Sequence, residues 1–159
     1  MTPTSVLFVC LGNICRSPMA EGIFRHMVRE AGLSQSIRID SAGTGDWHIG
    51  EPPDRRAAET AARHGIDIRA QRARLVTPGD FTRFDHILAM DRSNLAALRR
   101  MALAGGARPR LFLDYLDGAE DRDVPDPYRV GGFESVFRLI EAGAADLLRA
   151  LREHAADAQ

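Results

Sequence analysis

The chain has 159 residues and a formal net charge of -1, from 22 acidic residues and 21 basic ones, every one of the latter an arginine. Without a lysine there can be no Schiff base to a lysine amine and no Walker-type phosphate loop, and a balanced charge leaves no footprint of nucleic-acid binding or of a polybasic membrane anchor. At 45% hydrophobic and 27% charged residues the composition is that of a folded globular chain, and the length suits one domain, expected to span residues 1–159. The start MTPTSVLFVC has no basic leader, and no stretch approaches the roughly 18 apolar residues of a membrane span. A cytoplasmic protein with no membrane partner is therefore expected. Two cysteines, Cys10 and Cys15, are too few and too close for a disulfide scaffold, which directs attention to thiol chemistry.

In chain order, Ser5–Val9 (SVLFV) is an apolar run of strand length. A helical pattern follows Ser17-Pro18, with Ala20, Phe24, Met27 and Val28 on one face, Glu21, Arg25 and Arg29 on others, and Gly32 as the stop. Ser36–Ser41 reads as a second strand, and AGTGDWHIGEPPD as a loop ending in Asp54, the cap of a helix that runs to His64 with Gly65 just past it. His64, near that C-terminus, reads as a structural histidine complementing the helix dipole. Asp85–Met90 is a third strand, DRSNLAALRRMA a helix packing Leu95, Leu98 and Met101 on the sheet, and Arg110–Leu113 a fourth strand. After an acidic, proline-containing loop, Phe133, Phe137, Ile140, Ala144, Leu147 and Leu151 mark a long amphipathic helix. Strands separated by helices predict an α/β fold: one three-layer domain, a four-stranded parallel sheet with helices on both faces and a phosphate-binding loop after the first strand. Ligands are expected at the carboxyl ends of the strands.

The first such end carries Cys10–Ser17, CLGNICRS. A short glycine-containing turn into a helix N-terminus aims several backbone N–H groups at one point, an anion site that the helix dipole strengthens. Arg16 adds a planar fork of donors matched to two phosphate oxygens. A thiol facing such a site ionises more readily than a free one. The pattern implies a thiolate nucleophile beside a tetrahedral oxyanion. Pro18 suits the first helical position and Ser17 the cap before it, and the Ser17 hydroxyl can also donate to sulfur.

VCLGNICRSPMAE resembles the signature of the low-molecular-weight protein tyrosine phosphatases, and the likeness continues through SAGT (41–44), AMDRSN (89–94) and DPY (126–128). The resemblance implies that Cys10 attacks phosphorus and forms a cysteinyl phosphate, while Arg16 and the loop residues Leu11, Gly12, Asn13, Ile14, Cys15 and Ser17 hold the phosphoryl oxygens. Asp126 is then the general acid, with Pro127 biasing it toward extended backbone. Asn13, with Ser41 as partner, supports the loop. Trp47 and Tyr128 form the walls of the substrate cleft, although a lone tryptophan also fits a core position. Cys15 matches a cysteine that protects the nucleophile through a reversible disulfide; the alternative is a small packing side chain.

No histidine or second cysteine pair has zinc-ligand spacing, so no metal and no cofactor are expected. The implied partner is a tyrosine-phosphorylated protein, a bacterial tyrosine kinase among the candidates, and a monomer is the simpler oligomeric expectation. Arg129 after Tyr128, where eukaryotic members have a second tyrosine, resembles bacterial members and places an arginine near the cleft mouth. Three other readings compete. An arsenate reductase of similar fold uses further cysteines, and none follows Cys15. A protein arginine phosphatase has threonine where Ile14 stands. A non-catalytic phosphopeptide-binding module would have no need of Cys10, Arg16 and Asp126 together.

Overall fold

The apolar run at the start forms strand β1, Thr4–Cys10, reaching one residue further at each end than its apolar stretch. Its alternation decides the layers: Val6, Phe8 and Cys10 point into one core, Leu7 and Val9 into another. The computed structural model describes residues 2–102 and 104–157. Helix α1, Arg16–Glu30, follows β1, and Gly32 takes the left-handed conformation (φ 72°) that turns the chain back. Strand β2 is Ile37–Gly43 and helix α2 Arg55–Arg63, with the Asp54 side chain accepting from Arg56 N as its cap.

A short helix α3, Asp80–Arg83, absent from the sequence expectation, precedes β3, His86–Ala89, and α4, Arg92–Met101. Strand β4 is only Pro109–Leu111, and the chain then tightens into a 3-10 turn over Phe112–Tyr115. Phe112 and Leu113, expected as strand, leave the ladder to bury their side chains under α6, Phe133–Asp157. A further short helix, α5, spans Pro127–Val130.

The sheet is parallel throughout, in the order β2-β1-β3-β4. One face is covered by α1, α2 and α6, where Phe8 meets Phe24 and Phe112 edge-on at 5.7 Å. On the other face, Phe81 of α3 and Leu95 and Leu98 of α4 close over Leu7, Val9 and Ile87. The expected α6 stripe is buried from Phe133 to Leu147, with Leu151 half-buried at its end. His64 belongs to this packing: its ring stacks on Phe137 at 4.2 Å and its Nε2 lies 2.7 Å from Glu134, tying α2 to α6. Among the described residues no helix is long and apolar enough to cross a membrane. Because both central strands run the same way, the chain after β1 and the chain after β3 emerge side by side at one edge of the sheet.

Candidate active site

At that edge lies a cleft of about 250 Å3 whose floor is Cys10, Gly12 and Arg16 and whose sides carry Trp47, Asp126 and Tyr128. A larger recess of about 450 Å3 behind α1 contains none of these residues. Cys10 reaches the cleft floor as the last residue of β1, and its side chain shares the face that carries α1.

The side-chain amide of Asn13 ties the loop from Cys10 to Arg16 to α1, β2 and the chain after α2. Asn13 sits at φ 57°, the left-handed region that asparagine tolerates better than most residues. Its Oδ1 accepts from the Arg74 backbone N–H at 3.0 Å, which fixes the amide orientation. Its Nδ2 therefore donates both protons, to Ser17 Oγ (2.8 Å) and Ser41 Oγ (3.0 Å). Each hydroxyl has one proton to pass on. That of Ser41 goes to Glu21 Oε1 at 2.6 Å, and that of Ser17 has Cys10 Sγ at 3.0 Å. Asn13 N also donates to the sulfur, at 3.3 Å. The thiol thus stands where the Ser17 hydroxyl and the Asn13 N–H converge. Asp54 N, donating to Ile14 O at 2.7 Å, ties the far side of the loop to the start of α2.

Ser17 does not cap α1: the helix begins at Arg16, Cys15 takes the cap position, and Ser17 and Pro18 are its second and third residues. The first turn of a helix has no intrahelical acceptors for its N–H groups, so proline is accommodated there as well as at the first position. The Ser17 hydroxyl is thereby released toward sulfur.

Arg16, 3% exposed, is not a free fork. Its Nη1 donates to Asp91 Oδ2 at 2.7 Å and to the Val124 carbonyl at 2.9 Å, which leaves Nη2 and Nε without a hydrogen bond among the described residues. Nη2 lies 3.6 Å from Asp126 Oδ2. Burial works against the guanidinium charge, but Cys10, Asp91 and Asp126 more than offset it and raise its proton affinity. Asp91 also caps α4 through its other oxygen, which accepts from Asn94 N at 2.7 Å. Asp126 has the extended backbone expected before Pro127 and caps α5, accepting from Tyr128 N at 3.1 Å.

Trp47 is 67% exposed at the rim, not in a core; a Cβ on Gly45 would overlap its ring. His48 stands beside it over Gly12, its Nδ1 held by Glu51 at 2.7 Å. On the opposite side Arg56 lies over the rings of Tyr128 and Phe133 and donates to the Tyr128 carbonyl at 3.1 Å. Burial first, then the carboxylate of Asp54 and the neighbouring Cys10, pushes the Cys15 thiol well up from its ordinary range, so it stays protonated. Both cysteines are free and buried. Among the described residues no group of three or more His, Cys, Asp or Glu is placed to hold a metal ion.

Every site residue expected from the sequence falls in or directly behind this cleft. Sequence reasoning missed Asp91, Val124, Arg74 and Glu21, the groups that hold the holders. Glu21 was expected on a polar face of α1, yet it is 6% exposed because its carboxylate takes the Ser41 hydroxyl and Arg25. The legible signal was Asp91, an acidic residue just past a strand in a D-R-S-N capping pattern.

Residues 5–157 match the family model described as low molecular weight phosphotyrosine protein phosphatase. The low molecular weight protein-tyrosine-phosphatase YfkJ of Bacillus subtilis is 47% identical over 150 residues, covering 94% of this chain and 96% of the relative. The crystal structure of YfkJ superposes with a TM-score of 0.93 at 46% identity, over 97% of this chain and 98% of that one. A Drosophila arginine phosphatase structure superposes with a TM-score of 0.86 at 37% identity, over 92% and 96%. The chain belongs to the low molecular weight phosphotyrosine protein phosphatase family.

Proposed function

We propose that the chain hydrolyses phosphotyrosine on proteins by two in-line displacements at Cys10. The observation that carries this reading is a buried cysteine sulfur, 3.0 Å from Ser17 Oγ and 3.3 Å from Asn13 N, in one cleft with an anchored arginine and an aspartate. In the first step Cys10 Sγ forms a bond to phosphorus as the bond to the phenolic oxygen breaks, and Asp126 gives that oxygen its proton. In the second, Asp126 takes a proton from water, whose oxygen displaces sulfur and releases inorganic phosphate. Arg16 Nη2 and Nε and the loop N–H groups take the equatorial oxygens, so that positioning and charge stabilisation supply most of the acceleration. No metal or cofactor enters either step.

Trp47 and Tyr128 flank the substrate ring in this reading. Cys15 serves the nucleophile after oxidation by peroxide: its thiol condenses with a Cys10 sulfenic acid, forming the disulfide and water, and a thiol reductant restores both cysteines. Peroxide-treated Cys15→Ala should recover less activity with reductant than the parent; equal recovery removes this role. The protein acts as a monomer in the cytoplasm, on tyrosine-phosphorylated proteins that include a tyrosine kinase.

Phosphotyrosine, phosphoarginine and arsenate offered side by side to the purified protein test the assignment. Hydrolysis of the first, retained with chelator present, inhibited by vanadate and lost in Cys10→Ser, is expected. Asp126→Ala should be hurt far more on phosphotyrosine than on an aryl phosphate with a good leaving group; equal losses would remove its acid role. Arginine dephosphorylation is the second reading, favoured by the likeness to the Drosophila arginine phosphatase. Ile14 supplies an apolar side chain at the cleft in place of the threonine that accompanies phosphoarginine, so phosphotyrosine should be the better substrate.

A further inference from the structure

Leu11, Trp47, Ile49, Tyr128 and Val130 are exposed large apolar side chains, at 44%, 67%, 56%, 46% and 85%. All come from the three segments that enclose the cleft: the loop after β1, the stretch before α2, and α5. Apolar surface gathered around a site marks a surface that meets a partner. Most carboxylates and guanidinium groups around it are matched: Arg16 faces Asp91 and Asp126, Glu51 meets the His48 ring, Arg55 faces Glu59 and Arg56 faces Asp54, while Asp46, exposed beside Trp47, has no cationic partner among the described residues and does not line the cleft. Arg129 differs. It lines the cleft, is exposed, and has no carboxylate partner among the described residues. Its backbone is nevertheless fixed, because Arg56 holds the preceding carbonyl at 3.1 Å and Asp126 caps α5.

We propose that this mouth reads the residues around the phosphotyrosine: it selects a protein segment with a carboxylate beside the phosphotyrosine, taken by Arg129, and an apolar side chain lying against Trp47 and Ile49. The proposal rests on the phosphotyrosine reading above. The occupant follows from continuity and charge. Any segment that delivers a phosphoryl group to Cys10 must cross this rim, and among the charged residues that line the cleft itself Arg129 is the one without a partner among the described residues. Because Arg129 projects from an anchored turn, little ordering of the protein is needed to meet the carboxylate.

Kinetics on three phosphotyrosine peptides of equal length decide it: one with glutamate and leucine flanks, one with glutamine replacing glutamate, one with serine replacing leucine, and p-nitrophenyl phosphate alongside. An exposed charge pair is worth about 1.4- to 5-fold in an equilibrium constant. The kcat/KM ratio of the glutamate to the glutamine peptide should therefore be about 3 at low ionic strength. It should approach unity in Arg129→Ala, fall below unity in Arg129→Glu, and shrink at about 0.5 M salt, where screening is complete within a few ångströms. Loss of the leucine flank should lower kcat/KM in the parent and matter less in Ile49→Ser. A parent ratio of one, or a ratio that survives Arg129→Glu, overturns the proposal. So does a concentration-dependent self-association, relieved by Ile49→Ser or Val130→Ser, with no peptide discrimination, since the rim would then be a face for a second copy. If p-nitrophenyl phosphate is turned over without peptide discrimination, only this proposal fails; if it is not turned over either, the phosphatase reading fails and takes the proposal with it.

Discussion

Replacing Asn13 separates two contributions that one residue combines, side-chain hydrogen bonding and tolerance of a left-handed backbone. Asn13→Ala removes the bonds to Ser17, Ser41 and Arg74 N, all made by a side chain on a residue only 3% exposed. Three such bonds at a net 0.5–1.5 kcal/mol each amount to roughly 1.5–4.5 kcal/mol. Alanine at φ 57° adds about 1–2 kcal/mol of backbone cost. Asn13→Gly removes the same bonds at a position where glycine is unstrained. Alanine should therefore be less stable than glycine by about 1 kcal/mol, with both well below the parent. Chemical denaturation of the three proteins reads this as a difference in midpoint at constant slope. Both variants should also lose turnover, because the Ser17 proton is no longer committed to Cys10 once Asn13 ceases to donate to that hydroxyl. A glycine variant as stable as the parent, or alanine and glycine variants of equal stability, would refute the account of the loop.

Other perturbations test other supports. Asp91→Ser keeps a side chain able to cap α4 but releases Arg16 Nη1; kcat should fall on the order of 10²-fold, as for a misplaced positioning group, and the thermal midpoint should fall with it, because the buried guanidinium loses its nearest carboxylate. Gly43→Ala places a Cβ 2.9 Å from the Leu11 carbonyl and 3.2 Å from Asn13 N, both backbone atoms that cannot yield. It should cost about 1–3 kcal/mol and depress activity together with stability. His86 is half-buried at the start of β3, and burial, with a smaller contribution from Arg110, depresses its folded pKa below the ordinary 6.5. The unfolded chain thus binds the proton more readily, so this contribution to stability is complete above pH 6.5 and is lost as pH falls through the lower folded value. His86→Gln should flatten the fall of the thermal midpoint between neutrality and the acid side of that window; an unchanged slope would exclude the histidine as its source.

Some of the molecule is legible because its causes are local. Hydrophobic runs of strand length, glycine stops at Gly32 and Gly65 and the Asp54 cap follow from backbone sterics and nearest-neighbour hydrogen bonds, and each appears where the sequence puts it. Strand ends are less legible. Phe112 and Leu113 have strand composition, but the space beneath α6 turns them into a 3-10 turn, a competition invisible until α6 is docked. The Ser-Pro pair is similar: local preference reads a cap, whereas Ser17 lies two positions past the cap, inside the first turn, with its hydroxyl at the Cys10 sulfur.

The spacing of Cys10, Arg16 and Ser17 is a property of one short loop between a strand and a helix, so the sequence alone determines that a thiol and a guanidinium share an anion site. Asp91 lies 75 positions from Arg16 and Val124 108 positions away. Only the parallel order β2-β1-β3-β4 brings the end of β3 and the acid-bearing loop beside the end of β1. Likewise Glu21, Ser41 and Arg74 become one support for Asn13 only when α1, β2 and the chain after α2 pack together. Local chemistry fixes which groups can react; the sheet's strand order, which no short window of sequence contains, decides what holds them in place.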